Sequence, residues 1–218
     1  MNIVAIIQAR MGSKRLPGKV MMEVKGKPLI GYLIDRVESV RALDAIVLAM
    51  PACEAGSKLE AYGKSRDVIT FCGGEENDVA GRFASVLREC GEWDAFIRVC
   101  GDSPLLDPVI IEALCLTAQQ EHALVLSNVG SVLTPAGQHA ELVDTGFFLA
   151  QEPYMVGYDR EHVTSHLYKT ISVPSMAVDT EEDFARIENI IKKMKGDHLG
   201  YDYNDCLNLL GQRSLGLV

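Results

Sequence analysis

Five short apolar runs, separated by segments of helical spacing, constrain this chain more than any other feature. The runs fall at residues 3–8, 45–50, 68–71, 95–99 and 123–126. Between them, Leu29, Tyr32, Leu33 and Val37 recur at helical intervals, as do Val79, Phe83, Val86 and Leu87. Residues 55–65 make a plausible short helix, and Pro108 opens another through Ile110, Ile111, Leu114 and Cys115 toward Gln120. Pro28 suits a first helical turn, and Asn77 or Asp78 suits an N-cap. Strands alternating with helices imply βαβ units and a largely parallel sheet. Right-handed crossovers then bring the loops at 9–19, 72–78 and 100–107 to one carboxyl edge, where ligands of open α/β sheets bind.

The second half is less regular. Residues 131–149 carry Pro135, Gly137 and short apolar patches, consistent with a hairpin or an arm. A helix is expected from Asp159 through His166 to Tyr168, and a short strand at 175–178. Thr180 is a good N-cap with Asp183 at the capping-box position, ahead of an apolar face of Phe184, Ile187, Ile190 and Ile191. Residues 202–210 suit a last helix. With no internal repeat or linker, residues 1–218 read as a single domain.

Charge sharpens the choice of ligand. A net charge of -9 argues against a general nucleic-acid binder, and it makes a local cation cluster more telling. No segment approaches the roughly 20 apolar residues of a membrane span. The chain enters a strand at once and offers no signal-peptide cleavage site, so a cytoplasmic protein is expected. The scattered cysteines, with no C-x-x-C pair, read as small buried thiols in a reduced compartment, and no zinc pattern is visible.

The cation cluster is the first loop itself. Arg10, Arg15 and Lys19, with Lys14 beside them, accompany Gly12, Ser13 and Pro17-Gly18 directly after the first apolar run. Backbone N–H groups and fixed cations in such a turn suit a polyphosphate. The loop is not a Walker P-loop: five residues separate Gly12 from Gly18, and Val20 stands where the magnesium-binding hydroxyl belongs. A merely solvated basic turn would explain scattered cations, but not the whole ordered string. Two further motifs carry carboxylates. Asp102 follows an apolar run within Gly101-Asp102-Ser103-Pro104, and Asp179 precedes the capping residue Thr180. Taken alone, either aspartate is a cap; magnesium, however, needs only one or two protein carboxylates beside phosphate and water.

The ordered string Ala9, Arg10, Ser13, Arg15, Leu16, Pro17, Gly18, Lys19, then Gly26, Lys27 and Pro28, resembles the opening of the sugar-acid cytidylyltransferases, which make CMP-Kdo and CMP-sialic acids. The likeness covers most of the chain. It narrows toward the SpsF-type spore coat polysaccharide biosynthesis proteins through Gln8 to Lys19, the acidic segment from Glu75 through Asp78 to Arg82, and Arg160 to Thr164. The resemblance implies a Rossmann-like, nucleotide-diphospho-sugar transferase (GT-A-like) domain with a mostly parallel mixed sheet. It implies Mg2+ on Asp102 and Asp179, and transfer of CMP from CTP to a sugar acid with release of pyrophosphate, for surface polysaccharide. Nucleotide contacts are then expected from Ala9, Arg10, Gly12, Ser13, Arg15, Lys19, Asp78 and Arg82, with Arg10, Lys19 and Asp102 catalytic. Ser13 and nearby main chain are suited to hydrogen-bond the base. Arg160 and His162 are candidates for an anionic acceptor, although the His162/His166 pair equally suits packing or an interface. A homodimer is implied, with 131–158 as its arm or as an acceptor-site insertion.

Two positions depart from the family pattern. Cys100 stands where a Gln reads cytosine, and His139 stands where the subgroup has an acidic residue. A nucleotidyltransferase using another NTP and a sugar phosphate therefore remains an alternative. So does a nucleotide-binding partner protein without turnover.

Overall fold

In a computed structural model of the chain, residues 1–121, 123–129, 134–170, 176–201, 203–210 and 215–217 are described. The first apolar run forms β1 (Ile3–Gln8), and its loop ends in a 3-10 turn at Lys19–Met21. A two-residue hairpin, β2 (Glu23–Val24) and β3 (Lys27–Pro28), leads into α1 (Leu29–Glu38). Pro28 is the N-cap of α1 rather than part of its first turn. Then come β4 (Ala45–Met50), a 3-10 turn at Ala52–Glu54, α2 (Lys58–Ser65), β5 (Ile69–Cys72) and α3 (Val79–Glu89). After these follow β6 (Ala95–Cys100), α4 (Pro108–Gln120) and β7 (Val125–Ser127). The expected alternation is therefore present, with β1 and β4 bounded as expected and other boundaries shifted by up to three residues.

One sheet has the order β5-β4-β1-β6, continued by β8 (Glu141–Asp144), β7 and β9 (Leu215–Leu217). β1 runs parallel to β4 on one side and β6 on the other. β8 is antiparallel to both of its neighbours, β6 and β7. This makes the sheet mixed and the fold Rossmann-like. Period-two alternation divides its core: Ile3, Ala5 and Ile7 face Ile30, Leu33, Ile34 and Leu59 of α1 and α2, with Leu114 of α4. Val4, Ile6 and Phe96 face the other way, onto Val79, Phe83 and Val86 of α3.

The second half is more built-in than an arm. β8 is an inner strand, and α5 (Thr145–Gln151) continues directly from it, capped by Asp144 and burying Phe148. Only the flanks of 131–158, including a 3-10 turn at Glu152–Tyr154, stand outside sheet and helix; residues 131–133 lie outside the described residues. The single helix expected over 159–168 is instead two: α6 (Tyr158–Glu161) and α7 (Thr164–Thr170). His162, at φ -106 and ψ 63, breaks the helix, and this lets Val163 bury completely against the β-sheet core. His162 and His166 therefore do not share a helix face.

Residues 176–178 form no strand, and Ser175 lies outside the described residues. α8 (Glu181–Lys193) begins with the expected capping box of Thr180 and Asp183. Of its apolar face only Ile190 is buried, while Phe184 and Ile191 are more than half exposed. A 3-10 turn at His198–Gly200 and α9 (Tyr203–Leu209) follow. No helix among the described residues is long and apolar enough to cross a membrane.

Phe96 sits at the centre of the second core layer, edge-on to Phe83 at 5.7 Å and to Phe148 at 5.1 Å between ring centroids. All three rings are fully buried. Phe96→Ala is expected to cost about 3–5 kcal/mol, read as a shift in the urea midpoint at unchanged slope. A loss under about 1 kcal/mol would show that this layer collapses to fill the space.

Candidate active site

The strand order reverses between β1 and β6: the chain leaves β1 toward β4, then returns to set β6 on its other side. Ligands of open α/β sheets bind outside the carboxyl ends at such a point. A cleft of about 740 Å³ opens there, bounded by residues of the first loop, the 76–82 segment, Cys100 to Asp102, and Glu161 with His162. The three expected loops thus meet, and a fourth segment, between α6 and α7, joins them.

The pairing of β1 with β6 sets the floor. Gln8 lies opposite Cys100, and Gly101 N–H donates to the Gln8 carbonyl at 2.8 Å. A Cβ on Gly101 would stand 2.8 Å from both the Ala9 Cβ and that carbonyl, so only glycine lets the two loops approach this closely. The first loop closes on itself, with Ser13 and Gly18 N–H groups donating to the Met11 carbonyl at 2.9 and 2.8 Å. Gly18 has φ +69, the left-handed region glycine favours. From outside, buried Glu54 accepts the Met11 N–H at 2.8 Å.

The cations differ in what they are free to do. Lys14 and Arg15 are exposed on the cleft and make no ion pair among the described residues. Arg10 is shared between Glu76 at 3.2 Å, Asn77 at 3.2 Å and Glu161 at 3.4 Å. Lys19 is ion-paired with Asp102, whose carboxylate is about half exposed to the cleft. Ala9, Gly12 and Ser13 line the same cleft, as expected from the sequence.

Other expected site residues are occupied elsewhere. Arg82 lines the cleft but is buried, and its guanidinium donates to the carbonyls of Gly73 at 3.1 Å, Glu75 at 2.7 Å and Glu76 at 3.3 Å. Burial pushes its pKa below the usual arginine value. Arg82 thus shapes the acidic segment from below. Asp78 and Arg160 were expected on the nucleotide and acceptor sides, but they clasp each other, with Glu152 as the second partner of Arg160. Neither lines the cleft. Asp78 also caps α3 through the Gly81 N–H. Burial works to raise the Asp78 carboxyl, but Arg160 and that N–H outweigh it and hold it below the usual carboxylate range.

His162 reaches the cleft, exposed and stacked on Tyr158 at 4.1 Å between ring centroids. Asp179 does not. It is exposed, its N–H donates to Asp183, and it is not among the cleft residues. Residue 100 is Cys at the cleft floor, where burial pushes its thiol pKa up. His139, the other departure, approaches the Thr134 carbonyl at 3.3 Å, away from the cleft.

Reading the sequence missed Gln8, Glu54, Glu161 and above all Arg98. Arg98 is a lone charge in the otherwise apolar β6, and it lines the cleft beside Cys100. Directly opposite in the sheet is Glu141 of β8, whose carboxylate pairs with it. A charge within a run of buried strand residues was the available signal, since such a charge persists only with a partner.

Fold and cleft together are those of a nucleotidyltransferase. Comparison with known proteins narrows the class: the cytidylyltransferase family pattern matches residues 4–198, and the chain belongs to that family. It is 27% identical over 234 residues to the spore coat polysaccharide biosynthesis protein SpsF of Bacillus subtilis, covering 97% of this chain and 95% of that one. It is 32% identical over 114 residues to a 3-deoxy-manno-octulosonate cytidylyltransferase of Anaeromyxobacter, covering 52% of this chain and 45% of that one. Among solved structures it is similar to a cytidylyltransferase of Leptospira borgpetersenii, with a TM-score of 0.72 at 22% identity over 97% of this chain and 94% of that one. It is also similar to a CMP:2-keto-3-deoxy-manno-octonic acid synthetase complexed with CTP, with a TM-score of 0.62 at 18% identity over 88% and 99%.

Two outcomes test how the cleft is held. Arg82→Lys is expected to lose about 1–3 kcal/mol, because the fork that satisfies several carbonyls becomes a point donor. Chemical denaturation measures it. The Asp78–Arg160 clasp contributes stability that is complete above the ordinary aspartate range and lost as pH falls through the lowered folded pKa. Asp78→Asn is therefore expected to flatten the stability profile below about pH 4. An unchanged acid limb would assign that loss to other carboxylates.

Proposed function

We propose that the protein transfers CMP from CTP to a sugar acid, releasing pyrophosphate, in the making of a surface polysaccharide or glycoconjugate. The observation that carries this reading is the first loop, with its cations, facing Asp102 across the β1–β6 switch point. Family membership supports a nucleoside triphosphate as one substrate. The names borne by the similar octulosonate cytidylyltransferases and SpsF support a sugar acid and a polysaccharide pathway.

Lys14 and Arg15 are the cations we assign to the incoming triphosphate, since neither must first leave a carboxylate partner. Arg10 and Lys19 hold acidic partners in the free protein and exchange them for phosphate oxygens as the nucleotide enters. The gain is the difference between two charge-assisted pairings, which favours a ligand carrying several negative charges over a single carboxylate. Held this way, the α-phosphate is fixed for in-line attack by the acceptor hydroxyl, and catalysis rests on positioning and charge neutralisation. Ala9, Gly12 and Ser13 shape the wall along which the nucleotide lies.

Magnesium is part of the proposal. The donor set fits an ion shared with the nucleotide: Asp102 offers one partly exposed carboxylate in the cleft, and magnesium commonly takes one or two with phosphate and water. Among the described residues no three or more His, Cys, Asp or Glu gather into a closed cage. When bound, the ion would neutralise phosphate charge and acidify a coordinated hydroxyl. Asp102 is the residue we assign to it, and Asp179, outside the cleft, is left out.

Cys100 at the floor favours testing other bases beside cytosine. Pyrophosphate release should be followed with each of four NTPs, magnesium, and panels of sugar acids and sugar phosphates. Turnover with CTP and a sugar acid is expected. Asp102→Asn should lower kcat by about 10²–10³-fold, as removal of a key transition-state charge contact does. Full activity in that variant would sink its assignment, and tight NTP binding with no turnover in any combination would sink the reaction.

A further inference from the structure

The floor of the cleft beyond Cys100 holds a charged residue that the nucleotide reading does not use. Arg98 has a side chain 15% exposed, and Glu141 across the sheet is 4% exposed. The two are bonded Nη1 to Oε2 at 2.5 Å, and Thr164 Oγ1 of α7 stands 3.4 Å from the same Nη1. Glu141 is held in turn by the Tyr168 hydroxyl at 2.6 Å. Burial, with Glu141 beside it, pushes the Tyr168 pKa upward, so this hydroxyl stays a donor. One side of the guanidinium is thus locked by β8 and α7.

The other side is different. Nε makes only a 3.3 Å contact with Gln8 Oε1, and Nη2 makes no hydrogen bond among the described residues. Gln8 and Arg98 both line the cleft, and Nε is the guanidinium N–H bonded to Gln8. A guanidinium edge with two N–H groups and one weak neutral partner matches a carboxylate bidentately. It lies on the β6–β8 side of the floor, whereas Lys14 and Arg15 belong to the loop after β1. The cleft therefore has a second anion position that is rigid, planar and partly dry.

We propose that Arg98, oriented by Glu141 and Thr164, binds the carboxylate of the acceptor and makes the enzyme selective for sugar acids. This rests on the reading of the reaction given above and deepens it. Arg160, once the expected acceptor contact, is committed to Asp78 and Glu152, and Arg98 takes that role. Glu141 and Thr164 are positioning residues. They remove the rotamer freedom of Arg98 before substrate arrives, so little is lost on binding.

The test is steady-state pyrophosphate release by the purified protein with CTP, magnesium and 3-deoxy-manno-octulosonate, beside the methyl ester of the same sugar. The wild type is expected to prefer the free acid by about 10–100-fold in kcat/KM, the worth of a hydrogen-bonded charge contact. Arg98→Lys should raise KM for the acid toward that of the ester, with KM for CTP unchanged. Thr164→Val, nearly isosteric, should weaken the preference less and keeps the test open if Arg98→Lys does not fold. Retention of the full acid-over-ester preference in both variants overturns the proposal, as does a rise in KM for CTP instead. A wild type that uses only sugar phosphates overturns the carboxylate assignment while leaving nucleotidyl transfer intact. No turnover by the wild type with any acceptor removes the reaction itself.

Discussion

Everything in the cleft depends on how closely the ends of β1 and β6 approach. Gly101 donates to the Gln8 carbonyl, and the missing Cβ at Gly101 leaves room for Ala9. That contact brings the cation loop and the Asp102 turn to the same point, close enough for Lys19 to reach Asp102. Parallel pairing alone would align the strands without fixing the loops that leave them. Glu54 and Arg82 complete the fixing from two sides, one by accepting a loop N–H and the other by donating to loop carbonyls. Neither needs to touch a substrate for the site to depend on it.

Charge is arranged with the same economy. An acidic protein of net charge -9 keeps Arg10, Lys19 and Arg98 of its cleft paired with its own carboxylates. Leaving them bare would cost self-repulsion in the free protein. Pairing them with single carboxylates lowers affinity for weak anions, while a triphosphate with magnesium can replace several partners at once. On the reading proposed above, the arrangement is a filter for highly charged ligands and leaves discrimination among acceptors to the floor. Exposed ion pairs contribute little to stability. Their place here is better explained by what they exclude.

How much of this could be read from the residues follows from distance along the chain. The cation loop is contiguous, Asp102 closes an apolar run, and Thr180 and Asp183 cap a helix three residues apart, so each was legible. The Arg98–Glu141 pair spans 43 residues and the Arg160–Asp78 pair 82, and no local pattern couples them. β8 was hidden because it is four residues long, carries charges at both ends, and runs against its neighbours. The break at His162 was hidden because helical spacing held on both sides, and only burial of Val163 decides it. Tertiary packing overrode local propensity in each of these places.

The inserted strand also explains why the second anion position exists at all. β7 carries no charged residue, so beside β6 it would have offered the guanidinium no carboxylate partner. β8 enters between them antiparallel, and its first residue, Glu141, falls opposite Arg98 in the register. A slip of one residue would turn Glu141 to the other face and bring Leu142 opposite Arg98 instead. The charge on the floor of the cleft is thus a property of topology and register as much as of the two residues. α7 adds Thr164 and Tyr168 from above the same pair, and it can do so because the chain breaks at His162. The irregular half of the chain, least readable in sequence, supplies the partners that hold Arg98 in place, and Glu161 and His162 at the cleft itself.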